Sequence, residues 1–337
     1  MNKKATINDV AQAANCSTAT VSRVLNTPSS VREMTKKRIY KAMLKVGYDA
    51  EIPDEIKEDK WNKKESSHIL LVLIPSIENP FYFEILNGID FSSKRLGYRY
   101  ILYQTGNQIL SLSEIQEIIL QTHVCGVIVM HQAFETETLN LLNSILPVVQ
   151  CCEYDGNTDI SYVSIDDFNA SRSLIEFMLS KGKRNICLIN GPHTFKYATQ
   201  RQAGYEQALK SAGIDVNPQF VVEIPEINFS SALSVISQIL NLENRPDSFF
   251  AVSDMFAAAA VKACLKANLR VPEDIGIVGF DNTNISVICN PSLTTINQPK
   301  FQLGTTACEL LIQKIDNILL KHQHIILETE LIIRDSL

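Results

Sequence analysis

The chain has 337 residues, too many for one small domain and enough for a small module ahead of one or two larger ones. It is 45% hydrophobic and 20% charged, as globular proteins are, and no apolar run reaches the roughly 18 residues that a membrane helix needs. A net charge of −6, if evenly spread, would argue against nucleic acid as a partner.

The charge is not evenly spread. Residues 1–48 carry nine Lys or Arg against Asp9 and Glu33, a surplus of seven, which leaves the remainder of the chain at −13. A basic head on an acidic body is expected when only the head approaches phosphates. The start, Met1 to Thr6, is basic but leads into no apolar signal core, so the chain is expected in the cytoplasm. The eight cysteines form no C-x-x-C pair and several lie in apolar segments, as Cys187 does, so reduced buried thiols are expected. His322 and His324, near an expected strand start, lack metal-ligand spacing, and no metal or cofactor is expected.

In chain order, residues 6–14 read as a short helix capped by Thr6, with Asp9 in a capping-box position and Ile7, Val10 and Ala14 on one face. Asn15 can take the left-handed conformation that ends it. Ser17 caps a second helix over 18–25, with Val21, Val24 and Leu25 inward. A third helix, from about 32 to 46, turns Ile39, Ala42, Met43 and Val46 inward and stops at Gly47. Two short helices, a tight turn and a bracing third helix make a helix-turn-helix unit. Its second helix would enter the major groove, where Arg23 can reach guanine or a phosphate. The helix N-termini, with Thr6, Ser17 and Thr35, would clamp phosphates.

From His68 onward, apolar runs at 69–74, 99–103, 126–130, 185–189, 219–224, 248–252 and 275–279 predict buried parallel strands. Between them, helices are predicted at 82–96, up to 121, 198–212, 230–241 and 254–267. This alternation means doubly wound parallel sheets, and its length of about 270 residues implies two lobes with a ligand cleft at the carboxyl ends of the strands. The loops at those ends hold aromatics, aspartates and an arginine, the residues that stack on a ring and fix hydroxyls. No Gly-rich phosphate motif follows a strand, which argues against a dinucleotide or ATP. No nucleophile–base pair or metal set can be assembled in the cleft, so an enzyme is not expected. A transporter's solute-binding protein would share such a body, but the basic head and the missing signal segment oppose it.

The run Thr6-Ile7-Asn8-Asp9-Val10-Ala11, followed by Ser17-Thr18-Ala19-Thr20-Val21-Ser22-Arg23-Val24-Leu25-Asn26, strongly resembles the headpiece of the LacI/GalR repressor family. In the body, Gly191-Pro192, Arg201-x-x-Gly204-Tyr205, Val271-Pro272-Glu273-Asp274-Ile275, Gly279-Phe280-Asp281-Asn282 and Leu293-Thr294-Thr295-Ile296 with Gln298-Pro299 resemble its effector domains, so the likeness covers nearly the whole chain. The resemblance implies a small all-α helix-turn-helix headpiece joined to an α/β, two-lobed, periplasmic-binding-protein-like domain. It implies a homodimeric repressor on a pseudopalindromic double-stranded DNA operator, controlled by a small-molecule effector. Thr18, Ala19 and Arg23 would then read bases, while Ser17, Thr20, Ser22, Asn26 and Thr35 contact the backbone. Phe81, Tyr82, Asp166, Arg201, Phe229 and Asp281 would line the effector pocket.

Phe195 stands where a purine-sensing member has an effector-binding arginine, which argues against a purine base. Cytidine-responsive members share Asn79-Pro80-Phe81, the run from Cys289 to Ile296 and Glu330-Leu331-Ile332-Ile333-Arg334, so a pyrimidine nucleoside such as cytidine is the expected effector, with a sugar or purine as the alternative. Operator release on effector binding is the expected response. No long heptad-like tail follows Arg334, which favours a dimer over a tetramer.

The family's hinge helix usually carries an Ala-Arg-x-Leu-like segment whose leucine wedges into the minor groove. Here residues 49–60 hold six carboxylates and neither that arginine nor a clear leucine, with Ile56 as the one plausible wedge. A weak hinge is therefore expected, and with it help from a second DNA-bound regulator. The expected division is a head at 1–48, a linker at 49–67 and a body at 68–337. Within the body, one lobe spans about 68–165 and 297–325, the other about 166–296 and 326–337.

Overall fold

The computed structural model describes residues 5–28, 31, 33–48, 68–106, 108–225, 227–317 and 319–337. The hinge segment 49–60 with its Ile56, and the polar stretch 61–67, lie outside the described residues. The chain divides into two units between Ser66 and Ser67.

The head is assembled by local capping around a small core. Helix α1 (Ile7–Ala13) begins in a complete capping box: the Thr6 hydroxyl accepts the Asp9 N–H, and the Asp9 carboxylate accepts the Thr6 N–H at 2.7 Å. Asn15, at φ +47°, turns the chain so that the Ser17 hydroxyl can cap α2 (Thr18–Asn26) by accepting the Thr20 N–H. Helix α3 (Glu33–Val46) stops at Gly47, which takes φ +69°. Val10, Val21, Val24, Ile39 and Met43 meet with no exposed surface. At about 1.5–3 kcal/mol for each such side chain, their burial outweighs any single cap. The expected helix-turn-helix is therefore present, with each helix boundary within one residue of its sequence signal.

In the body, strand β1 (Ile69–Ile74) sends Leu70, Val72 and Ile74 to one core and Leu71 and Leu73 to another, as a central strand covered on both faces must. It lies between β2 (Arg99–Gln104) and β3 (Gly126–Val129). Strands β4 (Val148–Cys151) and β5 (Ser161–Ile165) extend the sheet, and β11 (His324–Leu327) adds its far edge, giving the order β2-β1-β3-β4-β5-β11 with every pair parallel. Helices α4 (Phe81–Arg95), α5 (Leu112–Thr122) and α6 (Thr136–Ile145) belong to this first lobe.

Past β5, helix α7 (Asp167–Ser180) leads into a second parallel sheet, ordered β7-β6-β8-β9 from β6 (Ile186–Asn190), β7 (Val221–Glu223), β8 (Ser248–Ala251) and β9 (Gly276–Val278). Its helices are α8 (Lys196–Ser211), α9 (Phe229–Ile239), α10 (Asp254–Lys266) and α11 (Asn284–Ile288). The chain then returns through β10 (Thr295–Asn297) and α12 (Lys300–Asp316) to β11, and ends with β12 (Glu330–Ile332) pairing antiparallel to β10. Both predicted doubly wound sheets are thus present.

Helix α12 packs on α4 at backbone contact. A Cβ on Gly88 would collide with the Phe301 carbonyl oxygen, and one on Gly304 with that of Ile85, so only glycine lets the two helices approach this closely. This packing fixes the start of α4, where Phe81 and Tyr82 enter the cleft. No helix among the described residues is long and apolar enough to cross a membrane.

Candidate functional site

On α2, Thr18, Ala19, Ser22, Arg23 and Asn26 fall in one arc at 100° per residue, opposite the buried Val21 and Val24. Thr18, Ala19, Arg23 and Asn26 are exposed, and Ser22 is half-buried. The Ser17 and Thr20 hydroxyls lie 2.8 Å apart, and the Asn26 amide donates to the Ser22 hydroxyl at 3.1 Å, so the polar groups along this helix are held in place. Thr6 is exposed at the start of α1, and Thr35 is half-buried in the first turn of α3.

A cavity of about 350 Å³ opens between the lobes at the carboxyl ends of the strands, a volume in the range of small-molecule sites. Phe81 and Tyr82 of α4 line it from one lobe. Asp167, Phe195, Tyr197, Arg201 and Asp281 line it from the other. Phe81 meets Tyr82 edge-on at 5.2 Å, and Phe195 tilts against Tyr197 at 5.5 Å, so each lobe presents an aromatic pair.

Arg201 organises the polar end. Its Nε–H donates to Asp167 Oδ1 at 2.8 Å and its Nη1 to the Val252 carbonyl at 2.6 Å, and Asp281 Oδ1 stands 3.6 Å away. The guanidinium also lies 3.6 Å from the Phe280 ring centre and 4.9 Å from that of Tyr197. Asp281 takes φ +104° and accepts the Gln298 side-chain amide at 2.7 Å, with Lys300 Nζ on its own carbonyl at 2.6 Å. Burial pushes its carboxyl well above the usual range, against the pull of Arg201. Burial likewise pushes Glu153 up to about 7, although it accepts the N–H groups of Tyr197 and Lys196. Among the described lining residues, Glu78, Glu153, Asp167 and Asp281 are acidic and Arg201 alone is cationic.

Four of the six residues expected from sequence, Phe81, Tyr82, Arg201 and Asp281, come together in this lining. Asp166 and Phe229 do not. The Asp166 side chain is spent on the N-cap of α7, accepting the Asn169 N–H at 2.9 Å, and faces solvent while Asp167 turns inward. Phe229 opens α9 at 39% exposure, and Ile227 and Asn228 ahead of it reach the cavity. Glu153 and Tyr197 join this lining without having been expected from sequence. Glu153 lies two residues past β4, a strand of only four residues with a weak sequence signal, and Tyr197 sits one turn before Arg201 on the same helix, a spacing that points to it.

The model for "Bacterial regulatory proteins, lacI family" matches residues 6–51, and that for a "Periplasmic binding protein-like domain" matches residues 175–337. The HTH-type transcriptional repressor CytR of Escherichia coli (strain K12) is 31% identical, over 98% of this chain and 96% of that protein. The HTH-type transcriptional repressor PurR of Pasteurella multocida (strain Pm70) is 30% identical, over 98% of each. Among solved structures, the transcriptional regulator CelR–cellobiose complex superposes with a TM-score of 0.73 at 25% identity, covering 99% of this chain and 100% of that one.

Proposed function

This chain belongs to the lacI family of bacterial regulatory proteins and is a transcriptional repressor of that family, and from that premise we propose that its effector is a free pyrimidine nucleoside such as cytidine. The observation that carries this proposal is an aromatic pair on each lobe combined with an acidic polar end. The rings suit a flat base, and Asp167, Asp281 and Arg201 suit ribose hydroxyls. The acidic lining favours an uncharged ligand: a phosphate brought about 4 Å from one of these carboxylates meets a repulsion of about 4 kcal/mol at an effective dielectric of 20. Arg201, already engaged by Asp167 and the Val252 carbonyl, has little left to offset it.

Residues 1–48 act as the DNA reader, 49–67 as a linker and 68–337 as the effector-binding and dimerising body. Thr18, Ala19 and Arg23 read base edges, and Thr6, Ser17, Thr20, Ser22, Asn26 and Thr35 hold the backbone. One head covers one half-site, so the chain works as a homodimer on a pseudopalindromic operator. It does so in the cytoplasm, as a regulator and not an enzyme. Nucleoside binding favours one lobe arrangement and lowers operator affinity, and the operator must weaken nucleoside binding by the same factor. A second regulator on neighbouring DNA adds the binding energy that the acidic linker does not supply.

A sugar effector is the second reading, favoured by the likeness to the cellobiose complex of CelR. Calorimetry with cytidine, cytidine 5′-monophosphate, a free purine base and cellobiose separates the cases. The expected result is cytidine binding at least a hundredfold tighter than the other three. Binding of cellobiose alone would replace the nucleoside with a sugar.

A further inference from the structure

Cys151 closes β4, and Cys152 follows it into the cavity wall. Along a regular strand, successive side chains point to opposite faces, so adjacent thiols do not meet. Here Cys152 adopts φ +71°, a left-handed conformation uncommon for a residue with a Cβ, and the two Sγ atoms stand 3.7 Å apart. Cys151 is fully buried, with Sγ 3.8 Å from the Leu303 carbonyl oxygen, whereas Cys152 is half-buried and lines the cavity. None of the interlobe contacts or cavity contacts described above uses this pair.

We propose that Cys151 and Cys152 form a vicinal dithiol site in the cavity wall that takes monosubstituted trivalent arsenicals. Geometry and valence select this class among thiol reagents. A disulfide needs its sulfurs about 2.05 Å apart and its Cα atoms usually 4.4–6.8 Å apart, whereas neighbouring Cα atoms across a trans peptide are fixed near 3.8 Å, so oxidation would close a strained ring. A structural zinc asks for about four ligands, and no group of three or more His, Cys, Asp or Glu among the described residues is placed to hold a metal. An arsenic atom with one organic substituent has two valences left. Two sulfurs in contact complete it without being drawn into a bond with each other.

The contact with Cys151, then burial and the neighbouring Glu153 and Asp167, push the Cys152 thiol well up, so it enters as a neutral thiol and resists attack on a peroxide. Condensation with an arsenoxide does not need a second reactant. The As=O and two S–H groups become two As–S bonds and one water, the oxide oxygen leaves with both thiol protons, and arsenic stays trivalent. Entry is through Cys152 from the cavity, with ring closure onto Cys151 behind it.

The test uses the full chain and phenylarsine oxide. Native intact-mass spectrometry should show one arsenical per chain with loss of water, and peptide mapping should place it on 151 and 152. The adduct should survive excess glutathione and be stripped by 2,3-dimercaptopropanol. Adduct occupancy should fall at least tenfold in Cys152→Ser, while Cys16→Ser and Cys289→Ser keep it. Since Cys151 is buried and its replacement could unfold the chain, the mapping of the wild-type adduct stands as the independent measure. An adduct mapped to other cysteines, one washed off by glutathione, or one formed only after denaturation would overturn the proposal.

Discussion

The Glu153 carboxylate caps the first turn of α8 across the cleft, at Lys196 and Tyr197. The Glu153 carboxylate accepts the Lys196 N–H at 2.6 Å and the Tyr197 N–H at 3.0 Å, while Lys196 Nζ lies 3.1 Å from the centre of the Tyr154 ring. Residues 153–154 lie in the loop that follows β4 of the first sheet, and Lys196 opens α8 of the second lobe. The free amides and positive end of that helix are a natural seat for a carboxylate. The contact therefore ties the two lobes together in this structure, placed as a latch would be.

The latch should respond to pH. Burial lifts Glu153 from the ordinary 4.5 to about 7, a difference worth about 3 kcal/mol at 1.36 kcal/mol per tenfold. The sign follows from where the proton sits: between pH 4.5 and 7 the closed form holds a proton that an open, solvated Glu153 has released. The penalty on closure is thus at full strength above pH 7 and is relieved as pH falls through it. For an effector that binds the closed form, Glu153 alone should raise affinity about tenfold between pH 8 and pH 6, and Asp281 should steepen the rise further. Glu153→Gln should at least halve that slope, the remainder belonging to Asp281, whose carboxyl burial also pushes up. An unchanged slope in calorimetric titrations of the variant would remove Glu153 from the latch.

Arg201→Ala should damage stability and binding together. The guanidinium is buried and neutralises Asp167 and Asp281, so its removal leaves two buried carboxylates without their cation. Breaking a buried pair from one side costs about 3–5 kcal/mol. Thermal unfolding should show a large fall for Arg201→Ala and a smaller one for Asp167→Asn/Arg201→Ala, because the double variant removes a stranded charge as well. Equal losses in the two would mean that charge pairing is not what Arg201 contributes.

Phe195→Ala tests whether a ring is stacked in the cavity. Base–aromatic stacking is worth about 1–3 kcal/mol, so cytidine affinity should fall roughly five- to 150-fold. Ribose, which has no base, should be nearly unaffected by the change. If ribose and cytidine lost equally, Phe195 would be shaping the cavity and not stacking on the ligand.

What could be read in the sequence depended on how local its cause was. The capping box at Thr6 and Asp9, the turn at Asn15 and the stop at Gly47 are decided within four residues, and the head was legible almost to the residue. In the body, long apolar runs such as 69–74 were plain, whereas β4, β5 and β10 are short and β11 is half-exposed, so their identity comes from sheet neighbours far along the chain. The helices at α6, α7 and α12 were missed with them. In the cavity, Arg201 and Asp281 were found by motif. The choice between Asp166 and Asp167 was not, because it turns on which carboxylate caps α7 and which faces Arg201, a matter of one residue's rotation that composition does not encode.

Arg23 offers the sharpest test of the head. It is exposed on the same arc of α2 as Thr18 and Ala19, opposite the buried Val21 and Val24, so its removal should leave the fold intact. A good bidentate contact to guanine is worth about 1–3 kcal/mol of discrimination, so Arg23→Ala should weaken operator binding roughly five- to 150-fold and narrow the gap to random DNA. A phosphate contact predicts something different: equal weakening on operator and random DNA, with the salt slope reduced by about one. Fluorescence anisotropy on both DNAs at several salt concentrations separates the two roles. Ser17→Ala serves as the control, because losing that cap should lower head stability by about 1 kcal/mol while leaving the operator-to-random ratio unchanged.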